Sequence, residues 1–101
     1  MATTTKALFR GAATTNTTTT LYTVPSATTA VVTDILVANT SGSAQTFTLA
    51  LDGVSIATAV ALGANDSTSI SLKQVLATTK TITGGASATS VTIHISGVEI
   101  S

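Results

Sequence analysis

Hydrophobic and polar residues alternate along much of the chain after residue 20, with the two-residue period of a β-strand. Between Ala44 and Leu51 the larger apolar residues occupy every second position, and the same period returns near Ile70 and from Val91 to Ile95. Successive side chains of a strand point to opposite faces of a sheet, so this period predicts strands with one buried face. No segment has the periodicity of an amphipathic helix. The pattern predicts an all-β chain.

Turn signals divide the chain into segments of strand length. Pro25 ends the short segment Leu21–Val24, and Asp52-Gly53 is a strong signal for a tight hairpin. Further clusters of small and polar residues lie at 40–43, 63–66 and 84–88. Strands at spacings of about 8–12 residues favour a sandwich. We expect a β-sandwich of jelly-roll type, with about seven or eight short antiparallel strands.

Four segments need separate predictions, because each has its own pattern of apolar residues. The apolar run Ala30–Asn39 predicts a central strand covered on both faces, although Asp34 interrupts it. Lys73–Thr79 has no clear period and is expected as a helical turn or a sheet-crossing loop, whereas Gly84-Gly85 is expected in a flexible connection. In the segment after the hairpin, alternation predicts an inward face made of Val54, Ile56, Val60 and Leu62.

The last predicted strand changes phase at Gly97. The apolar residues from Val91 to Ile95 share one face, whereas Val98 and Ile100 fall on the opposite one. An isolated glycine within a strand is typical of a β-bulge, which would return Val98 and Ile100 to the core. Without a bulge these two residues face outward and need a partner to cover them. Val98 and Ile100 are therefore candidate partner-binding residues.

The first 20 residues differ from the rest because nine of them are threonine. Leu8 and Phe9 are their only sizeable apolar residues after Met1, and Lys6 and Arg10 flank this pair. We therefore expect an extended N-terminal arm over residues 1–20 and a sandwich domain over 21–101. The arm is either a clasp that becomes ordered on a neighbour, with Leu8 and Phe9 as anchors, or a frayed terminus. Lys6 and Arg10 favour an acidic partner surface.

Composition narrows the class of protein. Charged residues make up 8% of the chain, against about 25% in an average protein, and the formal net charge is zero. A chain without excess positive charge does not attract a phosphate backbone, so no nucleic-acid partner is expected. Threonine accounts for 24 of the 101 residues, so hydroxyl groups replace charges on outward positions. A weakly charged surface resists association poorly, which favours a protein covered by partners in an assembly.

Residues suited to chemistry are scarce. No cysteine is present, so neither disulfides nor a thiolate metal site are expected. His94 is the only histidine, and a single histidine does not make a zinc site. The apolar stretches are too short to cross a membrane, and the first residues have no apolar core of a secretory signal. With no nucleophile motif or phosphate-binding loop, we expect no cofactor, no metal and no enzymatic activity.

Four segments, spread over the last four fifths of the chain, share a pattern of strands and turns with one family. They are Leu21-Tyr22-Thr23-Val24-Pro25, VVTDILVANTSGSAQTFTLALDG (Val31–Gly53), LKQVL (Leu72–Leu76) and VTIHISGVEIS (Val91–Ser101). In these segments the chain resembles small virion proteins of tailed bacteriophages, which are head decoration or minor tail components. The resemblance includes no catalytic motif, and residues 1–20 lie outside it.

The resemblance implies a structural protein of the virion, made in the host cytoplasm, that binds the major capsid protein or other virion proteins. Together with the low charge, it favours a capsid decoration (cement) protein that stabilises the head lattice as a homo-oligomer. The alternative is a module of the tail, collar or fibre. A glycan-binding sandwich is a third possibility, but Phe9, Tyr22 and Phe47 are the only aromatic residues, and such modules usually present several.

Overall fold

The chain folds almost entirely into strands. The computed structural model describes residues 3–101, in which there are eight strands. In chain order they are β1 (Thr3–Ala12), β2 (Thr20–Thr23), β3 (Thr29–Asn39), β4 (Gln45–Leu51), β5 (Val54–Leu62), β6 (Ser67–Leu76), β7 (Thr81–Ala86) and β8 (Val91–Ile100). Within these residues no helix is long and apolar enough to cross a membrane. The expectation of an all-β chain is confirmed.

The strands form two four-stranded antiparallel sheets that pack face to face. The first sheet has the order β1-β8-β3-β6, and the second sheet has the order β2-β7-β4-β5. Except for the β4–β5 hairpin, every connection crosses from one sheet to the other, which is the jelly-roll topology that the sequence predicts. β1 contacts β2 across the sandwich, and the link 63–66 joins β5 to β6. One lateral side therefore holds β1 and β2, and the other holds β5 and β6.

The core lies between the sheets and is built from alternate residues of the inner strands. Phe47, Leu49 and Leu51 of β4 point inward, as the alternation predicts. On the opposite sheet, Ile93 and Ile95 of β8 have no exposed surface. Each fully buried side chain of this kind stabilises the fold by about 1.5–3 kcal/mol. The inner strands of both sheets therefore supply most of the stability.

The β4–β5 hairpin confirms the turn signal at Asp52-Gly53. The φ angles of these residues are 54° and 74°, so both lie in the left-handed region. Two positive φ angles belong to the turn type whose twist matches that of the flanking strands. The backbone N–H of Asp52 also donates to the carbonyl oxygen of Thr81 at 2.9 Å, which ties the turn to the start of β7.

The irregularity predicted at Gly97 lies in the strands beside β8 rather than in β8 itself. On β3, Val32 pairs with Gly97 and Asp34 pairs with Ser96, so Thr33 is an extra residue without a partner. This arrangement is a β-bulge on β3, and it moves the inward positions of that strand from even to odd residue numbers.

A second bulge lies on the other side of β8. Leu8 is the extra residue of β1, between Ala7 and Phe9. β8 has no extra residue at this point and keeps its alternation through the glycine. Val98 and Ile100 therefore remain on the outward side of the first sheet, which is the alternative that the sequence left open.

Gly97 lacks a side chain where two neighbours come close. A Cβ atom at this position would lie 2.4 Å from the carbonyl oxygen of Val31 and 2.8 Å from Cδ1 of Leu8. Both distances are too short for carbon, so a side chain would displace the β3 backbone or push Leu8 aside. The glycine allows Leu8 to enter the core at the bulge.

β3 is an internal strand of the first sheet, but only one of its faces is covered. Its outward residue Leu36 is 42% exposed. The prediction of a strand covered on both faces is wrong, because the second sheet packs against one side and no residue from 3 to 101 covers the other. Asp34 is exposed at the bulge, so its carboxylate reaches solvent. The inward residues are Ala30, Val32, Ile35 and Val37.

β5 exposes three of the four apolar residues predicted to face inward, and only the prediction for Leu62 is confirmed. Val54, Ile56 and Val60 are exposed, whereas Ala57 and Leu62 are buried. The pairing of β5 with β4 contains two irregularities, each with an extra residue on β5, and these break the expected alternation. β5 is also an edge strand, so no neighbouring strand covers its outer side.

Two segments predicted as connections belong to strands. β6 runs to Leu76, so it includes most of the segment that has no clear period. Gly84 and Gly85 are buried within β7 instead of forming a flexible connection. A Cβ atom at Gly84 would lie 2.5 Å from the carbonyl oxygen of Thr48, and one at Gly85 would lie 2.4 Å from that of Asn16. Glycine is needed here because two distant backbone segments approach β7 closely.

Residues 3–20 form part of the sandwich, which corrects the expectation of a separate arm. β1 pairs with β8 over almost its whole length. The segment after β1 is tied to β7, because Ala86 N donates to Thr14 O and Gly84 N donates to Thr19 O, each at 2.9 Å. The polar composition is misleading because an edge strand needs few apolar residues. Residues 1 and 2 of the predicted arm lie outside the described residues.

Asn39 holds together one end of the sandwich. The two N–H groups of its buried side-chain Nδ2 are shared among the carbonyl oxygens of Ser43 (2.8 Å), Leu62 (3.2 Å) and Gly63 (3.1 Å). Its Oδ1 accepts a hydrogen bond from the backbone N–H of Ser41 at 3.0 Å. A buried amide with these partners is satisfied, so its burial costs little. The side chain fixes the β5–β6 link against the β3–β4 loop.

The crowding at Gly97 predicts a large effect of a single methyl group. Gly97→Ala should lower the free energy of unfolding by about 1–3 kcal/mol, because the Cβ atom has no space. Gly42→Ala is the matched control, since a Cβ atom at Gly42 meets nothing within 4 Å. Urea unfolding of the two variants measures the difference. Equal midpoints would show that the bulge accommodates a side chain.

Candidate functional site

The acidic residues and the histidine lie apart from one another. Asp52 and Asp66 lie in turns, Asp34 lies at the β3 bulge, and His94 lies on the outward side of β8. Over residues 3–101, no three or more histidine, cysteine or carboxylate side chains are grouped so that they could hold a metal ion. The residues that the fold does bring together form a surface.

The outward side chains of the first sheet form a surface four strands wide, the outer face. In one row across it, Thr5, Val98, Val31 and Val75 lie opposite one another on β1, β8, β3 and β6. Val75 is 67% exposed, and Val31 and Val98 are half-buried. Ile100 lies two residues beyond Val98 on the same side. Val31, Val75, Val98 and Ile100 make up an apolar group, the valine patch.

The rest of the outer face carries few charges. Beyond the bulge, a second row contains Arg10, His94 and Leu36. Asp34 and Lys73 lie close to the bulge, between the two rows. The other outward residues of these strands are threonine, serine and alanine. Such a surface can be covered without removing water from many ions.

A depression of about 360 Å³ interrupts the outer face at the bulge. It is lined by Thr33, Ser71, Leu72 and Lys73. It lies where Thr33 is the extra residue of β3 and where β6 also carries an extra residue. Two hydroxyl groups, one ammonium group and one apolar side chain surround it, so it can accept a polar side chain of a protein that covers the face.

Lys6, Glu99 and Tyr22 form a polar cluster where β1 and β2 meet. Lys6 Nζ lies 3.4 Å from Glu99 Oε1, and the Tyr22 hydroxyl donates a hydrogen bond to Glu99 Oε2. The cluster links β1 and β8 of the first sheet to β2 of the second. Lys6 therefore has a carboxylate of its own chain beside it, and its role in binding an acidic partner surface stays a prediction.

The candidate residues taken from the sequence separate into two groups. Leu8 is buried in the core, and Phe9 is partly buried against it. Because their apolar surface is used within the chain, the expectation that they anchor an arm on a neighbour is corrected. Arg10, Val98 and Ile100 lie on the outer face, where their role in partner binding stays a prediction.

Val31 and Val75 belong to the valine patch but were missed in the sequence. Val31 lies in an apolar run that was predicted to be covered on both faces, and Val75 lies in the segment without a clear period. The signal in the sequence was Asp34, because a carboxylate is costly to bury and therefore favours an outward position for residue 34. A bulge placed at Thr33-Asp34 assigns Val31 to the outward side.

Comparison with known proteins identifies no family for this chain. No protein family and no curated protein matches the chain. Nine chains of solved structures are similar to it, and one is a pentameric capsid protein isolated from metagenomic phage sequences. That chain is 17% identical with a TM-score of 0.38, and the alignment covers 96% of this chain but only 59% of that one. A TM-score this low says nothing about what the present chain does.

The polar cluster predicts an unusual titration of the only tyrosine. Burial, the hydrogen bond to Glu99 and the negative charge of Glu99 raise the pKa of the Tyr22 hydroxyl well above its ordinary value. Ultraviolet absorbance of the tyrosinate follows this group alone, since the chain has one tyrosine and no tryptophan. Glu99→Gln should lower the pKa, and a wild-type value near 10 would contradict the cluster.

The same shift makes stability depend on alkaline pH. A raised pKa means that the folded chain keeps the Tyr22 proton at a pH where the unfolded chain releases it. The contribution of Tyr22 is therefore complete below about pH 10 and is lost as the pH rises towards the folded pKa. Tyr22→Phe should remove this part of the alkaline loss in urea unfolding. An unchanged pH dependence in Tyr22→Phe would argue against a Tyr22 contribution.

Proposed function

We propose that this chain is a non-enzymatic structural protein of a tailed-bacteriophage virion, where it binds the head as a decoration protein. The observation that carries the proposal is the outer face, which is four strands wide and combines the valine patch with few charges. The resemblance in the segments 21–25, 31–53, 72–76 and 91–101 supports the virion setting and synthesis in the host cytoplasm. The partner is the major capsid protein.

Covering the outer face is energetically favourable for simple reasons. The valine patch contributes roughly 25 cal/mol for each Å² of apolar surface removed from water. Threonine and serine hydroxyls exchange bonds with water for bonds with the partner at little net cost. Only Arg10, Asp34 and Lys73 need an opposite charge or retained water. A lattice that presents apolar side chains with a few polar groups is a suitable partner.

The repeated subunits of a capsid strengthen the binding of a decoration protein. A capsid presents the same contact many times, so an oligomer that binds several lattice subunits dissociates far more slowly than one chain does. Each single contact can therefore be modest. Binding through many modest contacts suits a small surface with one apolar patch, whereas binding of a small ligand needs a deep pocket.

A charge in the valine patch should reduce binding to heads. Val75→Lys removes an exposed apolar side chain and adds a charge, so we expect about tenfold weaker binding or more. Val54→Lys is the matched control, because Val54 is 68% exposed against 67% for Val75 and lies on the second sheet. Co-sedimentation with purified heads of the phage that encodes the chain measures the binding, and circular dichroism verifies the fold of both variants.

The other outcomes are also informative. Equal binding of Val75→Lys and wild type would contradict the outer face as the contact surface. Quantitative mass spectrometry of the particle tests the location, because a decoration protein is present in proportion to the capsid protein. If only a few copies are found, at the neck or tail, the decoration role is wrong and the chain is a module of the tail, collar or fibre. Deleting residues 1–20 is unsuitable as a test, because it removes β1 from the sandwich.

A further inference from the structure

The sandwich has four edge strands, and three of them are protected against pairing with another strand. β2 has four residues and is followed closely by Pro25. β1 carries a bulge at Leu8 together with the basic residues Lys6 and Arg10. β5 has two irregularities, and Ala59 within it has a positive φ of 48°. Short length, charge and bulges are the usual means by which proteins prevent edge-to-edge association.

The fourth edge, β6, has a stretch without these features. From Ser67 to Ser71 the strand pairs with β3 without a register shift, and the irregularity comes only after Ser71. The stretch has no charged residue, no proline and no glycine. Among the described residues, the only hydrogen bond made to its backbone outside the β3 ladder is from Ser67 N to Asp66 Oδ1 at 2.8 Å. Its outer edge is open.

We propose that β6 pairs with β6 of a second copy of this chain, so that the first sheets of two copies join into one eight-stranded sheet. The pairing is antiparallel and is centred on Ser69, as a two-fold axis requires. This dimer forms in free solution, so it does not depend on where the chain binds in a virion.

The sequence of the stretch suits pairing with itself. About Ser69 as centre, Ser67 of one copy lies opposite Ser71 of the other, and Thr68 lies opposite Ile70. The serines occupy the outward side in both copies, and Thr68 and Ile70 occupy the inward side. No like charges meet, and small side chains directly opposite one another allow close approach of the strands. A strand of another protein would place equally small, uncharged side chains opposite β6 only by chance.

Exposed apolar residues lie on the same lateral side of the sandwich as the open edge. The large apolar side chains exposed in the structure are Leu36, Val54, Ile56, Val60 and Val75. Three of these five, Val54, Ile56 and Val60, are on β5, which shares that side with β6. A second copy joined at β6 brings its own β5 towards this side.

Two double variants test the pairing and its register. In Ser67→Lys/Ser71→Lys, like charges lie directly opposite one another twice in the proposed dimer. In Ser67→Glu/Ser71→Lys, the same positions place opposite charges together twice. The two proteins differ at a single residue, and both positions are exposed, so their folds should be equal by circular dichroism. Analytical ultracentrifugation over a range of concentrations measures the dimer.

We expect wild type to dimerise, the lysine–lysine variant to dimerise on the order of tenfold more weakly, and the glutamate–lysine variant to match or exceed wild type. High salt should reduce the difference between the two variants. A wild-type chain that stays monomeric at every concentration would overturn the proposal. So would an oligomer of any size that both double variants leave unchanged. Because no particle is involved, either result is independent of the test of head binding.

Discussion

The two bulges beside Gly97 determine which side chains of the first sheet are buried and which are exposed. If Thr33 occupied a regular strand position instead of a bulge, the alternation that buries Val32 would continue inward through Asp34 and leave Ile35 outside. The cost would include a buried carboxylate and the loss of about 1.5–3 kcal/mol for each large apolar residue exposed. The bulges avoid this cost, and Gly97 provides the space that the bulge on β1 needs. The bulge on β3 also places Val31 of the valine patch on the outward side.

The scarcity of charge and the abundance of threonine have a common consequence in this fold. Threonine is stiff at χ1 and favours strands, so it supports β-structure on positions where other proteins place lysine or glutamate. Its hydroxyl group is hydrated, yet it loses its water at a far smaller cost than an ion does. A jelly roll built in this way keeps its sheets well formed and its faces available for contact with other proteins.

The sequence was most informative where local chemistry decides the structure. The hairpin at Asp52-Gly53, the inward face of Phe47 and its neighbours, and the jelly-roll class followed from turn residues and two-residue periodicity. The predictions that were wrong concern segments whose structure depends on contacts between residues far apart in the chain. Gly84 and Gly85 are strand residues because of backbone from β4 and from the β1–β2 connection, which no local pattern reveals. Residues 3–20 have the composition of a free arm because an edge strand needs little apolar surface.

The positions of the open edge and of the valine patch on β6 determine the kind of binding that a dimer would have. Val75 is six residues from Ser69 along the strand, a distance of about 20 Å. An antiparallel pair centred on Ser69 therefore holds its two valine patches about 40 Å apart, at opposite ends of one continuous face. Patches so separated contact different subunits of a lattice rather than the same one. The second contact then occurs at high effective concentration, which increases the affinity of the dimer without requiring a stronger patch.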